Sequence, residues 1–141
     1  MNESDTIRIR QIDHVVIRVK NLEGMIAWYR DVLGCELERG PGDFRLAQLR
    51  AGASLIDLVD ANGPFGQKSG SEPDQLAPNM DHVCFQVHPW DTRTIRAKLD
   101  AHNVEYGKVE ERHGATGLGP SIYLRDPEGN RIELKGVTNS L

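Results

Sequence analysis

Ile12-Asp13-His14-Val15-Val16-Ile17-Arg18-Val19 returns later in the chain as Met80-Asp81-His82-Val83-Cys84-Phe85-Gln86-Val87. Asp, His, Val and the closing Val stand at matched places. Both stretches are short, apolar and rich in β-branched residues, which is the composition of a strand. Their recurrence marks an internal duplication.

The segments after the two strands match as well. Leu22, Ile26, Tyr29 and Leu33 recur at helical spacing, with Asn21 as the cap and Gly34 as the stop. In the second half a helix runs from Asp91 to His102, carries Ile95 and Leu99 on one face, and stops at Asn103. Short strands are expected next, near Cys35–Arg39 and Val104–Val109. Each half then closes on a strand pair: Arg45–Leu49 with Ser54–Val59, and Ser121–Leu124 with Arg131–Lys135. The turn Asp126-Pro127-Glu128-Gly129-Asn130 joins the last two, since Pro presets φ and Gly-Asn tolerates positive φ. The order is βαβββ, twice. The first module covers 1–61 with a flexible start, the linker 62–79, and the second module 80–141. The linker reading rests on Pro64, Pro73 and Pro78 with Gly63, Gly66 and Gly70. Glu111–Pro120 is Gly-rich and reads as a mobile loop.

The duplication also organises chemistry. His14 and His82 hold the same place in the same strand. Ile56-Asp57-Leu58 aligns with Ile132-Glu133-Leu134, so Asp57 and Glu133 match as well. Modules related by a local two-fold would bring these four positions around one point. Two imidazoles and two carboxylates suit a borderline divalent ion and leave positions open for water or substrate. Nickel, cobalt, zinc, manganese and iron all fit such donors. A lone strand histidine is more often a core residue, and a lone terminal-strand acid usually faces solvent. Matched pairs of both are hard to explain as surface chemistry. Alternate strand residues share a face, so His14, Val16 and Arg18 point one way while Val15, Ile17 and Val19 form core. In the second half His82, Cys84 and Gln86 share the ligand face.

Composition narrows the rest. The chain has 141 residues, 38% hydrophobic and 27% charged, with a formal net charge of -4. That is a globular balance, and a mildly acidic chain gives no reason to expect nucleic acid or an anionic membrane as partner. No apolar run approaches the roughly 20 residues that span a bilayer. The polar start MNESDTIRIRQ does not read as a signal peptide. Cys35 and Cys84 sit in apolar segments outside any CxxC, as reduced thiols of a cytoplasmic protein would.

With IDHVVIRVKNL at 12–22, WYRDVLGCEL at 28–37, MDHVCFQV at 80–87 and IYLRDPEGNRIELKG at 122–136, the chain resembles the vicinal oxygen chelate superfamily. That superfamily includes glyoxalase I, fosfomycin-resistance enzymes, bleomycin-resistance proteins, extradiol dioxygenases and methylmalonyl-CoA epimerase. The likeness covers one domain of about residues 12–136. It implies an α+β fold in which paired βαβββ modules form a curved eight-stranded cup. It implies a metal held by His14, Asp57, His82 and Glu133, and a homodimer in which modules of one chain or of two chains pair. Glyoxalase I usually has Glu where Asp57 stands, so direct binding, binding through water and a place facing the substrate all stay open for Asp57.

The first activity implied is glyoxalase I-like isomerisation of a glutathione hemithioacetal, with Glu133 or Asp57 moving the carbon-bound proton. Arg18 falls where bacterial glyoxalase I grips a glutathione carboxylate. The alternatives are a fosfomycin-type enzyme that opens an epoxide, for which Ser121 and Tyr123 resemble phosphonate-contacting positions, and a bleomycin-type binding protein with no catalysis. An epimerase acting on a CoA thioester also stays open, and His14, His82 and Glu133 could also serve an iron dioxygenase. Cys84, Gln86 and His113 complete the candidate substrate lining.

Overall fold

The computed structural model describes residues 7–70 and 79–137. Much of the expected linker, with Pro73 and Pro78, lies outside them. The architecture is α+β, two βαβββ modules. The first holds β1 (His14–Val19), α1 (Leu22–Asp31), β2 (Glu36–Arg39), β3 (Leu46–Ala51) and β4 (Ser54–Asp60). A short 3-10 turn, Gly66–Ser69, comes next. The second holds β5 (Val83–Val87), α2 (Thr92–Ala101), β6 (Glu110–Gly114), β7 (Gly117–Arg125) and β8 (Arg131–Gly136).

Each module is one four-stranded mixed sheet, in the order β1-β4-β3-β2 and β5-β8-β7-β6. The two are copies in register. Val16 lies opposite Asp57, and Asp57 opposite Gln48. In the second sheet Cys84 lies opposite Glu133, and Glu133 opposite Tyr123. Parallel pairing of β1 with β4, and of β5 with β8, therefore sets His14, and the strand that directly follows His82, against the acid-bearing strand of each module.

Local chemistry explains the helices. The Asn21 side chain accepts from the Gly24 amide at 3.1 Å and caps α1. Leu22, Met25, Ile26 and Tyr29 then bury one stripe of it. Asp91 caps α2 by accepting from the Arg93 and Thr94 amides. Gly34 and Asn103 end the helical segments at positive φ, as their residue types allow.

Two expectations need correction. The segment before β6 makes only an isolated bridge, Tyr106 to Leu124, not a strand over Val104–Val109. Glu111–Pro120 is not a loop. It is most of the β6–β7 hairpin, closed where Gly114 pairs with Gly117. Glycines there serve a tight turn rather than mobility.

The modules meet through their apolar sides. Ile17, Ile56 and Leu58 of the first join Ile122, Ile132 and Leu134 of the second in one core cluster. The Tyr29 hydroxyl donates to Asp126 Oδ2 at 2.8 Å across the junction. Glu128 of the second module accepts from the Lys20 and Asn21 amides at the start of α1. There a carboxylate meets exposed backbone donors and the positive end of a helix. The ligand-bearing faces are left looking outward: His14 is 43% exposed and Val16 48% exposed.

Candidate metal centre

Each histidine is built into the same short relay. His14 Nδ1 lies 2.8 Å from Asp13 Oδ2, and His82 Nδ1 lies 2.7 Å from Asp81 Oδ2. An ionised carboxylate only accepts, so Nδ1 carries the proton and Nε2 faces the acid on the neighbouring strand. His14 Nε2 is 4.0 Å from Asp57 Oδ2. His82 Nε2 is 3.2 Å from Glu133 Oε1. A carboxylate behind an imidazole fixes tautomer and ring angle and raises ligand basicity, as around metal-bound histidines. The Asp13 bond, and after it the charge of Asp57, raises the His14 pKa above its ordinary value.

The two acids are buried. Asp57 is 3% exposed and Glu133 5%. Asp57 Oδ2 accepts from Gln48 Nε2 at 3.3 Å, but Oδ1 is buried with no hydrogen-bond partner. An orphaned carboxylate oxygen is costly, and a cation beside it removes the cost. Imidazole Nε2 and carboxylate O are the donors a borderline divalent ion takes. The residues present fit the ion.

The quartet is not assembled in one chain. His14 pairs with Asp57 and His82 with Glu133, and among the described residues no three His, Cys, Asp or Glu side chains converge to hold a metal. The reason is the junction: the modules face each other through core residues, so their ligand faces do not meet. A cleft of about 650 Å³ between them is lined by Val15, Ile56, Val83, Phe85 and Leu134, all from the apolar sides.

The remaining candidates divide. Ser121, Tyr123 and Cys84 share the Glu133 face by register, and Gln86 joins them opposite Lys135. Tyr123 is held between two guanidinium groups, Arg112 at 4.6 Å and Arg131 at 3.9 Å from its ring, with the His82 ring edge-on at 5.3 Å. Removal from water and the Glu133 charge raise its phenol pKa. Desolvation and then the Glu133 charge push the Cys84 pKa up to about 11. It stays a thiol at neutral pH and is a poor nucleophile. Arg18 is engaged by the chain itself: Nε donates to the Gly66 carbonyl at 3.2 Å and Nη2 to that of Gly70 at 2.7 Å. His113 is not on a loop near the ligands. It lies on β6 opposite Leu118, on the face away from Arg112 and Ser121.

Asp13, Asp81, Arg112, Arg131 and Lys135 did not emerge from the sequence as site residues. For the two aspartates a signal existed, because Asp precedes His in both copies of the duplicated strand.

The sequence pattern of the Glyoxalase/Bleomycin resistance protein/Dioxygenase superfamily matches residues 11–134. The chain belongs to that superfamily. Among its relatives is virulence protein STM3117 of Salmonella typhimurium (strain LT2), 34% identical over 134 residues, or 94% of this chain and 88% of that protein. The solved structure of STM3117 superposes with a TM-score of 0.74 at 28% identity, covering 94% of this chain and all of that one (100%). Lactoylglutathione lyase from Agrobacterium tumefaciens has the same fold, with a TM-score of 0.61 at 22% identity over 89% of this chain and 92% of its own. So has the fosfomycin resistance protein FosX from Listeria monocytogenes, with 0.65 at 20% identity over 95% and 97%. Superfamily members commonly use a divalent metal, bind small molecules and form dimers. No helix among the described residues is long and apolar enough to cross a membrane.

Proposed function

We propose that the chain is a divalent-metal-dependent enzyme completed between two copies, which isomerises a glutathione hemithioacetal in the manner of glyoxalase I. His14 and Asp57 of one copy and His82 and Glu133 of the other hold the ion. The observation that carries this is the duplicated relay, in which Asp fixes each imidazole and turns Nε2 toward a buried carboxylate. Exposure of His14 and Val16 supports pairing of ligand faces between copies. The orphaned Asp57 oxygen favours a four-ligand set, hence the glyoxalase type over one with three protein ligands.

A divalent ion held by these residues would supply Lewis acidity to the substrate. Glu133 takes the proton from one carbon and returns it to the neighbour, a carboxylate acting as base and then as acid. Asp81 and Asp13 keep the imidazoles oriented meanwhile. Arg18 could meet a glutathione carboxylate only by exchanging its bonds to Gly66 and Gly70. A second reading, epoxide opening on a phosphonate, draws support from Ser121 and Tyr123 on the Glu133 face. Free Cys35 and Cys84 fit a cytoplasmic home.

Two measurements test the proposal. The purified protein, loaded in turn with nickel, cobalt, zinc and manganese, is assayed with methylglyoxal and glutathione. Absence of turnover with every ion sinks the isomerase reading. Mixing a His14→Ala/Asp57→Ala chain with a His82→Ala/Glu133→Ala chain should restore one intact site per heterodimer. No regain on mixing sinks the two-copy site. Protection of sensitive cells against fosfomycin tests the second reading.

A further inference from the structure

β5 stands at the end of its sheet and pairs with β8 alone, so its other edge has no strand partner among the described residues. Successive residues of a strand point to opposite faces. The cleft between the modules touches all five residues of β5, from Val83 to Val87, so it runs along that open edge and not over one face. Its walls are apolar: Val15, Leu33 and Ile56 from the first module, Ile95, Leu99 and Leu134 from the second. His14, Asp57, His82 and Glu133 do not line it. An open strand edge set between apolar walls is a template for one more strand.

The chain carries a segment of that kind and leaves it uncovered. Ile7-Arg8-Ile9-Arg10-Gln11 precedes β1, and its apolar and polar residues alternate as along a half-buried strand. The segment belongs to no helix or strand, and Ile7 is 91% and Ile9 88% exposed. Five extended residues span about 17 Å, the reach of a five-residue strand such as β5.

The arm does not enter the cleft of its own chain. Ile12 already lines that cleft. Its carbonyl accepts from the Ser54 hydroxyl at 3.0 Å, and the Asp13 carbonyl accepts from the Leu55 amide at 3.1 Å. These bonds hold residues 12 and 13 against the start of β4, in line with β1. A return into the cleft needs a reversal at Gln11-Ile12-Asp13, where no glycine or proline stands to make it. A second copy meets no such restriction.

We propose that residues 7–11 of one copy lie in the cleft of a second copy, as a strand added to the open edge of β5. Ile7 and Ile9 turn to the apolar wall, and the backbone supplies the ladder that β5 lacks on that side. The exchange is mutual, which closes a symmetric dimer. This contact goes beyond the metal reading: it lies apart from the four candidate ligands and needs no ion.

The test uses the full chain freed of metal by a chelator. Sedimentation equilibrium should show a dimer. Ile7→Ser/Ile9→Ser should raise its dissociation constant by about a hundredfold or more, with unchanged circular dichroism, because both side chains are exposed in the single chain. Cys84 lines the cleft and gives a second readout. Arg8→Cys, Ile9→Cys and Arg10→Cys proteins are made one at a time and mildly oxidised. At least one should give a disulfide-linked pair of chains that a further Cys84→Ser change abolishes. A monomeric parent overturns the exchange. So does a dissociation constant that the double serine variant leaves within about threefold. A Cys84 cross-link confined to one chain, or none at any of the three positions, overturns it as well. Arm exchange in a protein that takes up no zinc overturns the metal reading and leaves the arm contact standing.

Discussion

Asp81→Ala isolates what the relay contributes to ion binding. Asp81 touches His82 Nδ1 at 2.7 Å and no position an ion would occupy. Partners behind metal-bound imidazoles are worth about 10- to 100-fold in affinity. The Asp81 side chain is 77% exposed, so water screens its charge. The lower end applies, a loss of about tenfold. Asp81 also holds Arg131 at 3.1 Å, and Arg131 stacks on Tyr123 at 3.9 Å, so loosening of that stack adds to the effect. Asp81→Asn keeps an acceptor for the Nδ1 proton but not the charge, and should lose about threefold. Competition for zinc against a chromophoric chelator at neutral pH reads these ratios directly. An Asp81→Ala protein within about twofold of the parent, when His82→Ala loses uptake, would refute the relay as a metal device and leave Asp81 a surface residue.

The same geometry sets other outcomes. Asp57→Asn should raise the melting temperature of the metal-free protein, by removing a buried charge with an orphaned oxygen, and weaken zinc by about tenfold or more in the same competition assay. Tyr29→Phe deletes a buried bond to Asp126, whose Oδ2 still accepts from Asn130. The loss should be about 1.5–2 kcal/mol, a fall in melting temperature of about 5 °C by calorimetry. His14 titrates above its ordinary value in the folded chain, first through Asp13 and then Asp57. The proton therefore stabilises the metal-free fold fully below about pH 6.5, and that stability fades as pH rises through the raised value. The ion needs Nε2 unprotonated, so the gap in melting temperature between zinc-loaded and metal-free protein should widen between about pH 5.5 and pH 8. A gap that stays constant contradicts His14 as a ligand.

Much of the fold is legible in the sequence because its signals are local. Helix stripes, caps and alternating strands are set within a few residues of each other. The duplicated Asp-His-Val then ties distant parts together, and it singles out His14, Asp57, His82 and Glu133 from the sequence alone. The β6–β7 hairpin reads as a loop because its glycines look like flexibility when the partner strand is not seen. His113 is misplaced with it. Lys135 escapes notice because a lysine near the end of a terminal strand ordinarily reaches solvent.

By itself, then, the sequence determined two copies of one module with a histidine and an acid at matched places in each, since strand period and helix spacing are local patterns repeated twice. Only the tertiary structure decided where those pairs lie. Packing of apolar faces across the Tyr29–Asp126 junction keeps the His14–Asp57 and His82–Glu133 pairs apart in one chain. That depends on which surfaces meet over long separations in the chain, and no local pattern encodes that choice.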